Sequence, residues 1–501
     1  MPPDKKPIPP QLGGTGPYCS TTGPLGKPPM PLHFHNSLTR RTEPFAPMQP
    51  GQVGLYTCGP TVYNFAHIGN FRAYAFEDLL RRTLAFCGLK VTQVMNLTDV
   101  DDKTIRDSRQ AGLPLAVFTQ RFKDAFFLDL DALRIERAEV YPAATDHIPE
   151  MIVLIQTLLD KGVAYVGDDR SVYFSIAKCP RYGQLVHLQP EQMRGGGRVK
   201  NDEYAKESVA DFALWKAWDA ADGDVKWDSP WGPGRPGWHI ECSAMSMEYL
   251  GPTFDLHTGG VDNMFPHHED EIAQSEAANG VQFVRCWLHC AHLMVNGEKM
   301  SKSAGNFFTL RDLLAKGWNG RELRWVLLGC HYRQSLNFTF QGLADARTTL
   351  ARLDDFIGRL REAQARPGAA AAPETTARLE QAVAEFQAGL EDDLNISATL
   401  AALFNLVRDL NKALDGNVFS GADARAALAT LRRLDTVLAT LDVDRADDEA
   451  PADIRQLADD RLAARKAKDF ARADTLRQQL TTRGWTVEDT PAGPRLKKIG
   501  G

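Results

Sequence analysis

The segment from Gln52 to Leu97, QVGLYTCGPTVYNFAHIGNFRAYAFEDLLRRTLAFCGLKVTQVMNL, carries the clearest indication of the fold. It begins with a short β-like run, Val53 to Tyr56, and ends with a second one, Val91 to Leu97. Between them Gly88 ends a helical pattern whose apolar positions are Ala73, Phe76, Leu80 and Leu84. Strand, helix and strand within about 45 residues form a βαβ unit, which predicts a parallel sheet and a nucleotide-binding architecture.

Composition excludes several classes of protein. The chain has 501 residues, 43% hydrophobic and 24% charged, which predicts about three or four domains rather than one core. The net charge of −6 excludes a chain that wraps nucleic acid along its whole length, so any such contact must be local. The eight cysteines are too sparse for a disulfide framework. No apolar run reaches the roughly 18 residues of a membrane span and the start lacks the apolar stretch of a signal peptide, so we expect a cytoplasmic protein.

The first two-thirds of the chain divides into a leader and a sheet domain. Residues 1–32 hold ten prolines and five glycines, which predicts a disordered leader. Residues 33–336 carry the βαβ unit and an irregular insertion at about 145–230 that includes a Gly-rich turn, RGGGR, from Arg194 to Arg198. The sheet pattern is expected to resume at Trp238.

The last third predicts two further domains. Residues 337–448 are rich in Ala, Leu and Arg and are broken by ARPGAAAAPE from Ala365 to Glu374, as in a helical bundle. Residues 449–501 form a small basic module, because from Ala452 onward eleven basic residues stand against seven acidic ones, a net of +4. This charge suits a polyanion, although solvated helix faces have the same composition.

The first motif is PTVYNFAHIGN, from Pro60 to Asn70, in the loop after the first strand and at the start of the helix. Open parallel sheets bind ligands at this place. There His67 can donate a hydrogen bond to a phosphate, and Gly69 lets a ligand approach the backbone. A histidine near a helix start also fits a capping or packing role.

The second motif is KMSKS, from Lys299 to Ser303, followed by AGNF. Lys299 and Lys302, with hydroxyls such as that of Ser301 between them, can clamp the β- and γ-phosphates of a nucleotide. The motif lies about 230 residues after His67. The two motifs together predict a split nucleotide site.

A third group of residues has the chemistry of a metal site. PHHEDE places His267 and Glu271 four apart on one face of a predicted helix. Cys58 and Cys242 lie near the inferred ends of central strands, so these four residues are candidate zinc ligands. Each cysteine taken alone also fits a core position. Catalytic zinc sites keep an open position and zinc favours thiolates, so a substrate thiol can bind there directly.

A rival ligand, His268, is set aside at this stage. It points about 100° away from His267 around the helix. One turn further along its own face lies Ile272, which is apolar and cannot bind a metal.

The segments PTVYNFAHIGN, GRPGWHIECSAM, GGVDNMFPHHEDEIAQSE and EKMSKSAGNF together resemble the cysteinyl-tRNA synthetases, a family of class I aminoacyl-tRNA synthetases. The resemblance covers about Leu32 to Lys498. It implies a Rossmann-type α/β catalytic domain with a connective insertion, a mostly α-helical anticodon-binding region and a small C-terminal anticodon module. It also implies a monomer that binds one Zn²⁺, Mg²⁺ with ATP, L-cysteine and tRNA(Cys).

The resemblance assigns roles to individual residues. The implied zinc ligands are Cys58, Cys242, His267 and Glu271. The implied ATP-binding residues are His67, Asn70, Gly259, Gly260, Asp262, Lys299, Ser301 and Lys302, of which Gly259, Gly260 and Asp262 would face the ribose. The implied amino-acid pocket consists of Gly59, Thr98, Trp238 and His257. Two positions depart from the pattern: Asn70 replaces the second His of the generic HIGH signature, and Asn263 stands where many relatives have Leu.

The resemblance implies a reaction in two steps without an editing domain. The carboxylate of cysteine attacks the α-phosphate of ATP, with His67, Lys299 and Lys302 as catalytic groups that stabilise charge on the phosphates. The terminal ribose hydroxyl of the tRNA then accepts the cysteinyl group. A metal–thiolate bond would separate cysteine from serine, which shape alone distinguishes by only about 1–3 kcal/mol.

Three other functions remain open at this point. A cysteine ligase of the mycothiol type transfers the adenylate to an amino-sugar amine, but such ligases lack the anticodon domains. A small HxGH-type nucleotidyltransferase shares the first motif and lacks KMSKS. A non-catalytic tRNA-binding relative would not need both motifs. Candidates for reading the anticodon are Arg483, Trp485, Glu488 and Asp489, and Trp485 fits a core position equally well.

Overall fold

The computed structural model describes residues 32–188, 198–199, 210–301, 305–416, 419–444, 450–490 and 493–498. Three sequence-based predictions lie outside the described residues. They concern the leader before Leu32, the Gly-rich turn before Arg198, and Lys302.

Strands and helices alternate in the first part of the chain, and helices dominate the second. The strands are β1 (His33–Asn36), β2 (Arg41–Pro44), β3 (Gln52–Thr57), β4 (Lys90–Met95), β5 (Ala164–Val166), β6 (Val172–Phe174), β7 (Arg198–Val199), β8 (Asp211–Ala217), β9 (Gly234–Pro236), β10 (Phe254–Gly260), β11 (Val284–Cys290), β12 (Leu293–Val295), β13 (Glu298–Lys299), β14 (Leu336–Phe338), β15 (Trp485–Thr490) and β16 (Gly493–Lys498). The helices are α1 (Ile68–Phe86), α2 (Asp102–Gln110), α3 (Leu115–Ala132), α4 (Ile148–Asp160), α5 (Trp238–Leu250), α6 (His267–Asn279), α7 (Leu310–Ala315), α8 (Gly320–Leu327), α9 (Phe340–Ala363), α10 (Pro373–Glu391), α11 (Ile396–Asp415), α12 (Gly421–Leu438), α13 (Ala452–Lys466) and α14 (Phe470–Thr482).

The predicted βαβ unit and parallel sheet are confirmed. Strand β3, helix α1 and strand β4 follow one another, and β3 and β4 pair in parallel along their whole length. Strands β10 and β11 extend the same sheet in the order β11-β10-β3-β4. Leu55 and Leu256 on one face and Tyr56 and Trp287 on the other are buried, as expected for a sheet covered on both faces. The carboxyl ends of these four strands therefore meet at one edge.

The prediction that the sheet resumes at Trp238 is wrong, since Trp238 begins helix α5 and the next central strand starts at Phe254. Every residue from His239 to Ser246 is buried. These first two turns of the helix present no face to solvent, so their sequence cannot be told from that of a buried strand by periodicity. Cys242 therefore belongs to a helix and not to the end of a strand of its own, although its sulfur lies within 4.8 Å of that of Cys58 at the end of β3.

The insertion folds as a second, mainly antiparallel sheet. Strands β5, β6, β8 and β7 pair in that order and β9 pairs with β8, which gives five strands among the described residues of the insertion. The rings of Phe174 and Phe212 stack in its core, 5.1 Å apart. Two of its cations, Lys216 and Arg235, pair with Asp102 at the start of α2 and so join the insertion to the parallel sheet domain.

The C-terminal part is helical, as predicted. Helices α9 to α12 pack on one another and on α1, and α13, α14, β15 and β16 form a small module. Trp485 is buried in this module against Ile454, Ala458 and Leu480, which confirms the interpretation of Trp485 as a core residue. In the described part of the chain, no helix is both long and apolar enough to cross a membrane.

Candidate active site

The loop after β3 begins with a close contact between two parts of the backbone. A Cβ added to Gly59 would lie 1.8 Å from the carbonyl oxygen of Asn96, which follows β4. The Gly59 N–H also donates to the Asn96 side chain at 2.8 Å. A glycine at this position lets the two strand ends approach, and it holds Cys58 at the edge of the sheet.

His67 is the N-cap of α1, and Asn70 completes a capping box with it. The Asn70 N–H donates to Nδ1 of His67 at 3.2 Å, and the His67 N–H donates to Oδ1 of Asn70 at 3.0 Å. Because Nδ1 is an acceptor here, the neutral imidazole carries its proton on Nε2, the donor that a phosphate needs. The structure thus gives a physical role to the asparagine that replaces the generic second histidine.

A cavity of about 470 Å³ opens where the strands of the parallel sheet end. It brings together motifs that are far apart in the sequence. The predicted site residues that line it are Cys58, Gly59, His67, Asn70, Trp238, Gly260, Asp262, His267 and Lys299. Other predicted site residues, Thr98, His257, Gly259 and Ser301, are described but do not line it. Their assigned contacts stay predictions.

The structure also brings the four candidate metal ligands together. The sulfur atoms of Cys58 and Cys242, a ring nitrogen of His267 and a carboxylate oxygen of Glu271 all lie within 4.8 Å of one another. All four residues are buried. Cys58 follows β3, Cys242 is on α5, and the other two lie one turn apart on α6 with 3.0 Å between Nε2 and Oε1. Two thiols, one imidazole and one carboxylate are a donor set that zinc accepts.

The prediction that His268 points away from this cluster is wrong. Its Nε2 lies 3.2 Å from the sulfur of Cys58. Cys58, His257, His268 and Glu271 form a second donor set that overlaps the first. The angle between His267 and His268 describes only how the two side chains leave the axis of α6. Cys58 belongs to another element and lies within reach of both rings.

The charges of the cluster are set by burial and by the neighbours of each group. Burial raises the pKa of the Cys242 thiol, but the hydrogen bond with Cys58 and the charge of His267 outweigh it and lower that pKa to about 6. The same hydrogen bond, together with burial, raises the pKa of Cys58. Burial also raises the pKa of Glu271, and the nearby His257 and His267 overcome this and lower it to about 2. A buried thiolate and a buried carboxylate side by side are what a divalent cation stabilises.

A second layer of side chains orients the ligands. Nδ1 of His267 faces Nδ1 of His239 at 2.8 Å, and Nε2 of His239 lies 3.4 Å from a carboxylate oxygen of Asp270. Nε2 of His257 is 2.9 Å from the second carboxylate oxygen of Glu271. Such partners of the other ring nitrogen and the other carboxylate oxygen are typical of protein metal sites. The cluster therefore fits a zinc ion both in its donor atoms and in its surroundings.

Sequence reasoning missed several residues that line the cavity, among them Tyr63, Asn96, Lys103 and His292. Their positions relative to the predicted strands and helices could have identified them. Tyr63 and Asn96 lie in the loops after β3 and β4, and Lys103 lies in the first turn of the next helix, all at the ligand-binding edge of the sheet. A larger cleft of about 620 Å³ lies between α6 and the insertion, but none of the predicted site residues lines it, so we do not assign the reaction to it.

Two predicted anticodon readers are held in ion pairs within the C-terminal module. Arg483 pairs with Asp453 at 2.8 Å, and Asp489 pairs with Arg461 at 2.7 Å and with Arg465. Their assignment to the anticodon stays a prediction.

Comparisons with known proteins agree with this fold and site. The family model for tRNA synthetases class I (C) catalytic domain matches residues 44–348, and the DALR domain model matches residues 385–442. The cysteine–tRNA ligase of Protochlamydia amoebophila is 50% identical over 472 residues, covering 94% of this chain and 98% of that protein. That of Chlamydia muridarum is 50% identical over 479 residues, covering 94% of this chain and all of that protein.

A solved structure, Mycobacterium tuberculosis methionyl-tRNA synthetase in complex with methionyl-adenylate, shares the fold. Its TM-score is 0.60 at 16% identity, with 77% of this chain and 92% of that chain covered. The predicted fold class and family are thereby confirmed. The chain belongs to the cysteine–tRNA ligase family of class I tRNA synthetases.

Proposed function

We propose that the chain attaches L-cysteine to tRNA(Cys) with ATP, by way of a cysteinyl-adenylate, and that one zinc ion identifies the amino acid by its thiol. The observation that carries this proposal is the convergence of Cys58, Cys242, His267 and Glu271 beside the cavity that His67, Asn70 and Lys299 line. A nucleotide site and a thiol-selective metal site in one cavity have the chemistry that activation of cysteine requires.

The four cluster residues would hold the zinc ion, because this set, unlike the overlapping one, contributes two sulfur atoms. Bound zinc would supply a soft Lewis acid that accepts a thiolate far better than the hydroxyl of serine. Trp238 lines the cavity and stacks on the ring of His267 at 4.3 Å, which closes the pocket on one side and keeps the imidazole in place. Gly59, Thr98, Trp238 and His257 would enclose the amino acid.

The phosphates of ATP would lie between α1 and the KMSKS segment. Nε2–H of His67 would donate to the phosphate under attack, and Lys299 with Lys302 would neutralise the departing pyrophosphate. Asn70, Ser301, Gly259, Gly260 and Asp262 would complete the ATP site, with Mg²⁺ accompanying the nucleotide. The carboxylate of cysteine attacks the α-phosphate, so the reaction needs positioning and electrostatic stabilisation but no covalent enzyme intermediate.

The helical region supports tRNA as the acceptor. The DALR match at residues 385–442 runs from within α10 to just past the end of α12, and the basic module follows it. We propose the division into a leader (1–32), a catalytic domain (33–336, with its insertion at about 145–230), an anticodon-binding bundle (337–448) and a C-terminal anticodon module (449–501). We also propose that the enzyme acts as a cytoplasmic monomer.

The test is transfer of cysteine to tRNA(Cys) compared with transfer to an amino-sugar, each measured with and without a zinc chelator. We expect cysteine-dependent exchange of pyrophosphate into ATP, transfer to the tRNA alone, and loss of both on chelation. Transfer to the amino-sugar would favour a ligase of the mycothiol type. Absence of exchange would favour a non-catalytic relative.

A pair of variants tests the role of the cluster. Cys242→Ser is expected to lose zinc and to discriminate poorly against serine. Cys179→Ser is the matched control, because this thiol is half-buried and lies outside the cavity. If Cys242→Ser keeps both its zinc and full discrimination against serine, the proposed basis of specificity is wrong.

A further inference from the structure

The cavity has lysines on opposite sides. The strand order of the parallel sheet is β11-β10-β3-β4. On one side of the sheet the chain passes from β11 through the short strands β12 and β13 into the KMSKS segment, and on the other side it passes from β4 into α2. Lys299 lines the cavity from the first side and Lys103, the second residue of α2, lines it from the second side. Under the proposed function the triphosphate lies between His67 and the KMSKS lysines. Lys103 therefore faces a different part of the bound substrates.

Contacts with the insertion fix the first turn of α2, which carries Lys103. The neighbouring carboxylate, Asp102, is turned to the insertion, where Lys216 lies 3.0 Å away and Arg235 also pairs with it. Two cations of the insertion thus compensate Asp102 and fix the first turn of the helix.

Lys103 also lies beside an aromatic ring on the wall of the cavity. Its Nζ is 5.7 Å from the centre of the Tyr63 ring, and Tyr63 lines the cavity as well. Both side chains are half-buried. An ammonium beside an aromatic ring is a combination that binds single-stranded nucleic acid, where the cation contacts a phosphate and the ring contacts a base or ribose.

We propose that Lys103 binds a phosphodiester of the tRNA 3′ end, with Tyr63 against the terminal nucleotide, and that this contact positions the terminal ribose hydroxyl for the second step. The inference rests on the proposed function. The thiol of cysteine is assigned to the metal cluster and the triphosphate to the KMSKS side. The anion still to be accommodated on the side of β4 is the backbone of the acceptor strand, which must enter for transfer to occur.

The test separates the two steps in Lys103→Met, which keeps the length of the side chain but not its charge. Pyrophosphate exchange measures the first step without tRNA, and single-turnover transfer from preformed adenylate measures the second. We expect transfer at low tRNA concentration to fall about tenfold more than exchange, since a charge-assisted hydrogen bond is lost. The dependence of log(kcat/KM) for tRNA on log salt should become shallower by about one ion.

Two further variants are needed. Lys103→Arg should restore most of the transfer and the salt dependence because it keeps the charge. Arg106→Met is the control, since Arg106 is an exposed cation on the same helix, pairs with Asp107 and does not line the cavity. It should leave both steps and the salt dependence unchanged.

Two results would overturn the inference. Equal losses in exchange and transfer, with a raised KM for cysteine, would place the carboxylate of the amino acid or the adenylate on Lys103 instead. No loss in either step would leave it without a role in binding. A failure of the proposed function is distinguishable from both, because the unaltered protein would then lack cysteine-dependent exchange.

Discussion

Nε2 of His257 lies 2.9 Å from Oε2 of Glu271, and both side chains are fully buried. The contact holds one carboxylate oxygen, so that the other faces His267 at 3.0 Å. His257 also stacks on Trp287, with 4.5 Å between the ring centres. It therefore orients Glu271, one of the candidate metal ligands, and its place in the amino-acid pocket stays a prediction.

The first prediction concerns this contact. His257→Phe keeps the stacking on Trp287 but leaves the oxygen of Glu271 without its partner. We expect zinc affinity to fall about 10–100-fold, as for other residues that orient metal ligands. Competition with a chromophoric chelator measures the affinity. His147→Phe, which replaces a buried histidine outside the cluster, is the control, and equal affinities for the two variants would contradict the role of His257.

The second prediction concerns the capping box of α1. Asn70→Ala removes the acceptor for the His67 N–H, while the backbone N–H of residue 70 can still donate to Nδ1, so the backbone at His67 is held less tightly. We expect pyrophosphate exchange to slow about tenfold and stability to fall by about 1 kcal/mol. Ser420→Ala disrupts an equivalent capping box on α12 and should cost similar stability without slowing exchange. Equal exchange rates for the two variants would show that the box has only a structural role.

The third prediction concerns the joint between α1 and the helices that follow the sheet. Arg324 and Asp78 form a fully buried ion pair at 2.5 Å, and Arg324 also donates to the carbonyl of Leu438 at the end of α12. Arg324→Leu leaves the buried charge of Asp78 to Arg82 alone, at 2.8 Å, and leaves the carbonyl of Leu438 without its donor, which should cost about 1–3 kcal/mol. The double variant Asp78→Asn/Arg324→Leu should recover part of this loss. Thermal unfolding measures both, and strictly additive effects would contradict the coupling.

The fourth prediction concerns pH. Burial raises the pKa of Asp435 to about 6 from its ordinary value of 3.8, while its carboxylate accepts the N–H groups of Thr440 and Leu441. Because the folded pKa is the higher one, the stabilising contribution is complete below about pH 4 and is lost as pH rises through about 6. Asp435→Asn keeps an acceptor without the charge.

The unfolding midpoint of Asp435→Asn, taken relative to that of the unaltered protein, should therefore rise between pH 4 and pH 8. The corresponding change in free energy is at most about 3 kcal/mol. A difference that is constant or falls over this range would contradict the assignment.

The structural features that could be predicted from the sequence differ physically from those that could not. Helix α1 was predictable because its apolar residues recur with one period between two strand-like runs. Helix α5 was not, since burial of every residue from His239 to Ser246 removes the polar face on which a period is recognised. The pairing of His267 with Glu271 followed from helix geometry. The approach of His268 to Cys58 did not, because it depends on where β3 ends relative to α6.

The most direct test of the account counts the sulfur atoms bound to zinc, by X-ray absorption at the zinc edge, in the presence of cysteine and of serine. Without an amino acid we expect two sulfur ligands, from Cys58 and Cys242. We expect a third on addition of cysteine and no change on addition of serine. A sulfur count that stays at two with cysteine bound would contradict the claim that the metal recognises the substrate thiol.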